Sequence, residues 1–355
     1  MPRELEGSEA TRFSHSLFTD SPIHCNDYPG MTGDGTLRLA VIEHVELPIL
    51  VCSHLYFLHT VLYTLEEEIM TRLGDYIDPP YLDAMAELVK QNKQRTYNWM
   101  HIQPGHAVLD VGCGPGIDTI ALAELDGPTG RVVGVDADAA MIAEADRRAE
   151  QAGCRAWCRH QQGDATALPL ETGTFDSCRS ERLFQHVRNP GNVLIEMARV
   201  TRLGGWVVIL DADHGTWSVD TSEVDIERRL LCVLAERMVI NGYVGRQLYG
   251  LFKRQQFADI NVEIRPHYFT NYTQFRYGIQ LDIIEREALA AGFVTEEELN
   301  RWQQNLEEAE TTGTFFAHAA GVLVAGRKAE STSSGLFGPP MKSTTRSSQS
   351  ASQAG

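Results

Sequence analysis

VLDVGCGPG, Val108 to Gly116, sets a short strand-like apolar run against three glycines at 112, 114 and 116, and a helical pattern resumes at Ile117. Glycine adopts positive φ freely and has no Cβ, so such a loop turns sharply and admits a ligand to its backbone. A dinucleotide-binding loop has the spacing G-x-G-x-x-G, which here requires a glycine at 117. That position is Ile117; the third glycine falls at Gly116, and the acidic Asp110 stands just before the loop. A pyrophosphate seeks a helix N-terminus clear of anions. This loop therefore suits a cationic ligand better than a dinucleotide.

Outward from the loop, strands and helices alternate. Ala107–Val111, Arg131–Asp136, Ala156–Gln161, Phe175–Arg179 and Gly205–Leu210 read as strands, and Ile117–Leu125, Ala139–Ala152 and Asn192–Val200 as helices. Near-continuous apolar strands separated by helices predict an α/β fold with a doubly wound, mostly parallel sheet. Val262–Pro266 and Ala317–Arg327 are candidate closing strands, which brings the sheet to seven. The stretch YLDAMAELVKQNKQRTYNWM after Pro80 has apolar residues at helical spacing, and Asn241–Arg246 reads as a turn.

The resulting expectation is one α/β domain over 80–330, with helical cap insertions around 221–240 and 274–309. Residues 1–36 read as a flexible segment, 37–79 as a helical extension, and the Ser-rich 331–355 as a disordered tail.

The chain has 355 residues and a net charge of −17. It lacks the basic footprint of a nucleic-acid binder, so nucleic acid is not an expected partner. Seven scattered cysteines read as reduced thiols in a cytoplasmic protein, with no zinc site and no metal expected. MPRELEGSEA has no signal-peptide layout. Leu47–Leu65 carries no Asp, Glu, Lys or Arg over nineteen residues, but it contains Pro48, His54 and His59. A buried or interface helix, able to mediate a homo-oligomer, is favoured over a membrane-surface helix or an inauthentic stretch of reading frame.

The loop and the positions after it resemble the motifs of class I S-adenosylmethionine-dependent methyltransferases over about residues 80–212, and most closely the ubiquinone/menaquinone and small-molecule members. The fold implied is Rossmann-like and the cofactor is S-adenosyl-L-methionine, whose ammonium and sulfonium are cationic. The resemblance places Asp110 near the methionine amino group and Gly112, Cys113, Gly114 and Gly116 beneath it. Asp136, at a strand end beside Ala137, is positioned to accept both ribose hydroxyls. Gly163-Asp164-Ala165 resembles the segment that meets adenine. Ser180 and Glu181, in FDSCRSE, would lie beside the transferring methyl.

Methyl transfer is a near-linear displacement that needs positioning and, for weak nucleophiles, a general base. Glu181, Arg182, Gln185, His186, Asp211, Asp213 and His214 lie where strands four and five should end, and His186 and His214 are the candidate bases. His267 and Tyr268 are weaker candidates. Aromatic residues between 240 and 280 would suit a planar or terpenoid small-molecule acceptor if they line the cap. The expected activity is transfer to O, N or C of such an acceptor in quinone or secondary metabolism. A protein or RNA methyltransferase, or a non-catalytic cofactor-binding protein, are the alternatives. Asp78-Pro79-Pro80-Tyr81 matches the DPPY of DNA adenine methyltransferases, but its polar, helical lead-in marks it as coincidence.

Overall fold

The computed structural model describes residues 79–329. The expectations for 1–36, for 47–65 and the rest of the helical extension, and for the tail from 331 lie outside the described residues. Seven strands form one sheet in the order β3-β2-β1-β4-β5-β7-β6: β1 (Ala107–Val111), β2 (Arg131–Asp136), β3 (Cys158–Gln162), β4 (Phe175–Glu181), β5 (Thr201–Val219), β6 (Ala258–Phe269) and β7 (Ala317–Arg327). β1 to β5 pair in parallel, and β7 runs antiparallel between β5 and β6.

Alternation along each strand explains why both faces are covered. Leu109, Val111, Val207, Ile209, Val322 and Val324 face one core, closed by α5 (Pro190–Val200) and α7 (Val244–Arg254). Val108, Val208, Leu210, Leu323 and Ala325 face the other. That side is closed by α2 (Lys90–Trp99), α3 (Ile117–Asp126) and α4 (Ala139–Gln151), with α1 (Pro79–Leu88) preceding α2. Side chains of period 2 buried on both faces are the signature of a doubly wound sheet.

A further core sits beyond the sheet. Ile226, Leu230 and Val233 of α6 (Val224–Val233) join Phe275 of α8 (Tyr272–Gly278), Ile284 of α9 (Leu281–Ala290), and Trp302 and Leu306 of α10 (Glu296–Thr312). The tips of β5, β6 and β7 enter it through Val219, Phe269 and Ala317.

Three expectations need correction. β5 extends to Val219 because β7 continues to pair with it as far as Val219↔Ala317, so Asp211 to His214 lie within the strand rather than after it. The stretch with helical spacing after Pro80 is not helical throughout: it forms two helices separated at Val89. Asn241–Arg246 leads directly into α7, whose Val244, Leu248, Leu251 and Phe252 form a helical stripe. Gly245 within that stripe lets α7 sit close on β5, since a Cβ there would lie 2.8 Å from the Ala212 carbonyl oxygen. Among the described residues, Cys113, Cys154, Cys158 and Cys178 are buried free thiols.

Candidate active site

A cavity of about 510 Å³ opens at the carboxyl ends of the central strands, where open α/β sheets bind ligands. Strand order gives it two parts. On the β1–β2 side of β4 the wall is Gly112, Cys113, Gly114, Asp136 and Asp138; on the β5–β7–β6 side it is His214, Trp217, His267, Phe269 and Ala320.

The loop between β1 and α3 is built by backbone contacts. Gly112 and Cys113 donate their N–H groups to the Val135 carbonyl at 2.8 and 3.1 Å. Gly112, Gly114 and Gly116 have φ of 75°, 50° and 82°, in the left-handed region that favours glycine. Their roles differ. A Cβ on Gly116 would lie 2.9 Å from that of Ala145, so this glycine seats α3 against α4; a Cβ on Gly114 would meet only Leu82, at 3.8 Å, so this one is open to a ligand. Asp136 Oδ2 accepts the Gly114 N–H at 2.8 Å and Oδ1 accepts the Asp138 N–H at 3.0 Å. Each oxygen retains a lone pair.

Between the two parts lies a buried charge network. Lys93 Nζ, on α2, lies 2.7 Å from Asp118 Oδ2 and 3.0 Å from Glu181 Oε2. Arg179, inside β4, reaches Asp110 at 3.2 Å, Asp118 at 3.1 Å and Glu181 at 2.6 Å. Tyr97 donates its hydroxyl to Asp118. Burial works to raise the Asp118 carboxyl, but Arg179 and Lys93 overcome it and hold that group well below its usual range. For Asp110 burial wins over Arg179, and its carboxyl is raised. Arg179 Nε and Ser180 Oγ are buried without a hydrogen-bond partner. Neither Lys93 nor Arg179 was assigned a role from the sequence. An arginine in the middle of an otherwise buried strand was the available signal for Arg179; Lys93, in the polar run KQNKQR, gave none.

Three histidines face the second part of the cavity, and burial lowers each to about 4. Arg182 adds to the effect at His186 and His267, and the neighbouring histidines at His214. All three are neutral near pH 7. Trp217 Nε1 donates to His214 Nδ1 at 3.3 Å, which fixes the proton on Nε2, and that proton is donated to Gln185 Oε1 at 2.6 Å. Both His214 nitrogens are therefore engaged, whereas the His186 ring makes no hydrogen bond among the described residues.

Of the residues expected from sequence, Asp110, Gly112, Cys113, Gly114, Asp136, Glu181, His186 and His214 line this one cavity. Gly116, Ala137, Gly163, Asp164, Ala165 and Ser180 do not. Gly163 donates to the Asp136 carbonyl at 2.9 Å, and Asp164 is exposed and accepts from Thr166. Arg182, Gln185, Asp213 and His267 also line it. Asp213 is held by Arg246 in a two-point pair at 2.6 and 2.7 Å. Asp211 instead accepts the Phe184 N–H at 2.7 Å, capping the turn that carries Gln185 and His186. Tyr268 is 65% exposed on the opposite face of β6, where Val262 and Ile264 are also exposed. The aromatic residues of 240–280 divide similarly: Phe252 and Phe257 pack in the sheet core, Tyr272 and Phe275 in the cap core, and only His267 and Phe269 reach the cavity. Pro79 to Tyr81 begin α1 rather than end a strand. Among the described residues no group of three His, Cys, Asp or Glu side chains is placed to hold a metal ion.

A family described as a methyltransferase domain matches residues 102–256. An uncharacterised 37.1 kDa protein in a transposon of Streptomyces fradiae is 32% identical over 239 residues, 67% of this chain and 67% of that one. A demethylmenaquinone methyltransferase of Lactobacillus johnsonii is 32% identical over 142 residues, 39% of this chain and 58% of its own. The methyltransferase GfsG of Streptomyces halstedii is 32% identical over 138 residues, 39% and 49% respectively. The chain thus spans about half to two thirds of the length of these relatives. Among solved structures, the YcgJ protein of Bacillus subtilis aligns over 68% of this chain and 99% of its own, with 19% identity and a TM-score of 0.49. The chain belongs to the class I S-adenosylmethionine-dependent methyltransferases.

The cavity fits that family's cationic methyl donor. Apart from Asp213, which Arg246 neutralises, five acidic residues (Asp110, Asp118, Asp136, Asp138, Glu181) face three basic ones (Lys93, Arg179, Arg182) on its wall. Gly114 leaves an open cradle beside Asp136.

Proposed function

We propose that this protein transfers a methyl group to a small-molecule acceptor, and that the acceptor occupies the part of the cavity beside Trp217, His267 and Phe269. The observation that carries this is continuity: one cavity holds both the glycine loop with Asp136 and the aromatic-lined recess. When bound, S-adenosyl-L-methionine would supply a methyl carbon made electrophilic by its sulfonium. Gly112–Gly116 and Asp136 would hold the donor, with Asp110 and Glu181 near its cationic groups. The acceptor would be oriented by the recess, at the effective concentration that makes displacement fast.

His186 is the better placed of the two candidate bases. It is neutral, faces the cavity and has a ring free of hydrogen bonds among the described residues, while Trp217 and Gln185 occupy both nitrogens of His214. With its conjugate acid near 4, His186 accepts a proton efficiently only from an acidic acceptor group. The similarity to a demethylmenaquinone methyltransferase supports quinone metabolism as the setting, with secondary metabolism as the alternative. Incubating the protein with methyl-labelled S-adenosylmethionine and a bacterial extract tests this reading: label in a small-molecule fraction supports it, and label confined to protein contradicts it.

A further inference from the structure

Among the described residues, Arg182 is the basic residue of the cavity wall without a close carboxylate. Lys93 and Arg179 each lie within 3.2 Å of two or more carboxylate groups. The nearest carboxylate oxygen to Arg182 is Glu181 Oε1, 3.9 Å from Nε, and the guanidinium makes no hydrogen bond among the described residues. Its charge is nevertheless felt across the recess, where it bears on Tyr81, His186 and His267.

The backbone that carries it is strained. Arg182 has φ of 54°, a left-handed conformation that L-residues with side chains rarely adopt. Such strain persists where surrounding contacts impose it, and it clusters at functional sites. Those contacts are explicit. The Arg182 N–H donates to the Leu210 carbonyl at 3.0 Å, and the Arg182 carbonyl accepts from Gln185 Nε2 at 3.3 Å. Gln185 is held in turn by His214, and His214 by Trp217. The relay from Trp217 through His214 and Gln185 therefore ends on Arg182. This gives His214 a positioning task in place of a proton-accepting one.

A guanidinium in the same cavity as a cationic cofactor is repelled by it, and an anion bound between them would offset that repulsion. We propose that Arg182 is the acceptor-binding cation, and that the acceptor is a flat apolar molecule bearing one anionic oxygen. The oxygen sits on the Arg182 guanidinium and the body lies against Trp217, Phe269 and Met238. This rests on the methyl-transfer reading and narrows it to acidic acceptors. The neutral histidines accord with it, because an acceptor that binds already ionised, or is ionised beside a guanidinium, does not need a strong base.

The test uses 2-naphthoate and its uncharged counterpart 2-naphthamide as probes. Each is titrated by calorimetry into the full-length protein, alone and saturated with S-adenosylhomocysteine. The wild type is expected to bind naphthoate at least about tenfold more tightly than naphthamide, as a charge-assisted hydrogen bond allows. Arg182→Met should abolish the preference, Arg182→Lys should restore part of it, and both should bind S-adenosylhomocysteine within about twofold of wild type. Absence of a preference in the wild type, including failure of both probes to bind, overturns the proposal, and so does a preference that survives in Arg182→Met. Weakened S-adenosylhomocysteine binding in Arg182→Met with an unchanged naphthoate preference also overturns it, by placing the guanidinium on the cofactor. If S-adenosylhomocysteine does not bind the wild type, the methyl-transfer reading fails, while the probe titrations without it still decide the role of Arg182.

Discussion

At the scale of single residues, carboxylates in three different surroundings behave differently. Asp136 is half-buried and fixes two backbone N–H groups of the rim while keeping a lone pair on each oxygen for a ligand. Asp136→Ala should weaken S-adenosylhomocysteine binding by roughly tenfold to a hundredfold, the range for hydrogen bonds to a charged group; unchanged affinity in calorimetry would remove it from the cofactor site. Asp211 is fully enclosed, and burial raises its carboxyl to about 7 even though the Ala212 and Phe184 N–H groups pull the other way. The folded protein therefore retains this proton over a pH range in which the unfolded chain has lost it. Stability from Asp211 is complete below about pH 4 and declines as pH rises from there through 7. The melting temperature should fall between pH 5.5 and pH 8, and the fall should be smaller in Asp211→Asn. Equal slopes in the two proteins would show that Asp211 does not titrate in this window. Asp118, pinned by Lys93, Arg179 and Tyr97, remains ionised throughout.

At the scale of elements, α2 matters more than its sequence suggests. It is tied to β6 by Arg95–Glu263 and by Arg265–Asn92, and it delivers Lys93 to the carboxylates of α3 and β4. Lys93→Met leaves Asp118 and Glu181 with one cation fewer in a buried setting, which should cost about 3–5 kcal/mol of stability in urea denaturation. A loss below about 1 kcal/mol would mean that the network is solvated. Gly116→Ala probes the loop: a left-handed backbone and a contact of 2.9 Å with Ala145 should together cost roughly 1–3 kcal/mol. The sheet and its loop were legible because apolar runs ending in glycine or an acid carry their own boundaries, as in VLDVGCGPG and VVGVD. α7 was not, because Gly242 and Gly245 read as turn signals, although a Cβ at either would collide with the backbone of Ala235 or Ala212. The length of β5 was hidden for a related reason. Asp211 and Asp213 look like the polar end of a strand, yet one caps a turn and the other pairs with Arg246 inside the strand.

At the scale of the whole molecule, two sheet cores and a separate cap core meet around one cavity. The donor half of that cavity could be read from sequence, since a glycine loop and strand-end acids are local patterns. The acceptor half could not, because Trp217, Met238, His267, Phe269 and Ile279 come from distant segments that only the fold brings together. None of the described helices is long and apolar enough to cross a membrane. The account stands on the claim that the loop of Val108 to Gly116, with Asp136, forms the site of the methyl donor. Calorimetric titration of the full-length protein with S-adenosylhomocysteine, beside Asp136→Ala and the control Glu150→Ala at an exposed position of α4 away from the cavity, tests it directly. One-to-one binding that is lost or weakened at least about tenfold in Asp136→Ala and kept in Glu150→Ala is the predicted result; no binding by the wild type, or equal binding by all three proteins, would contradict it.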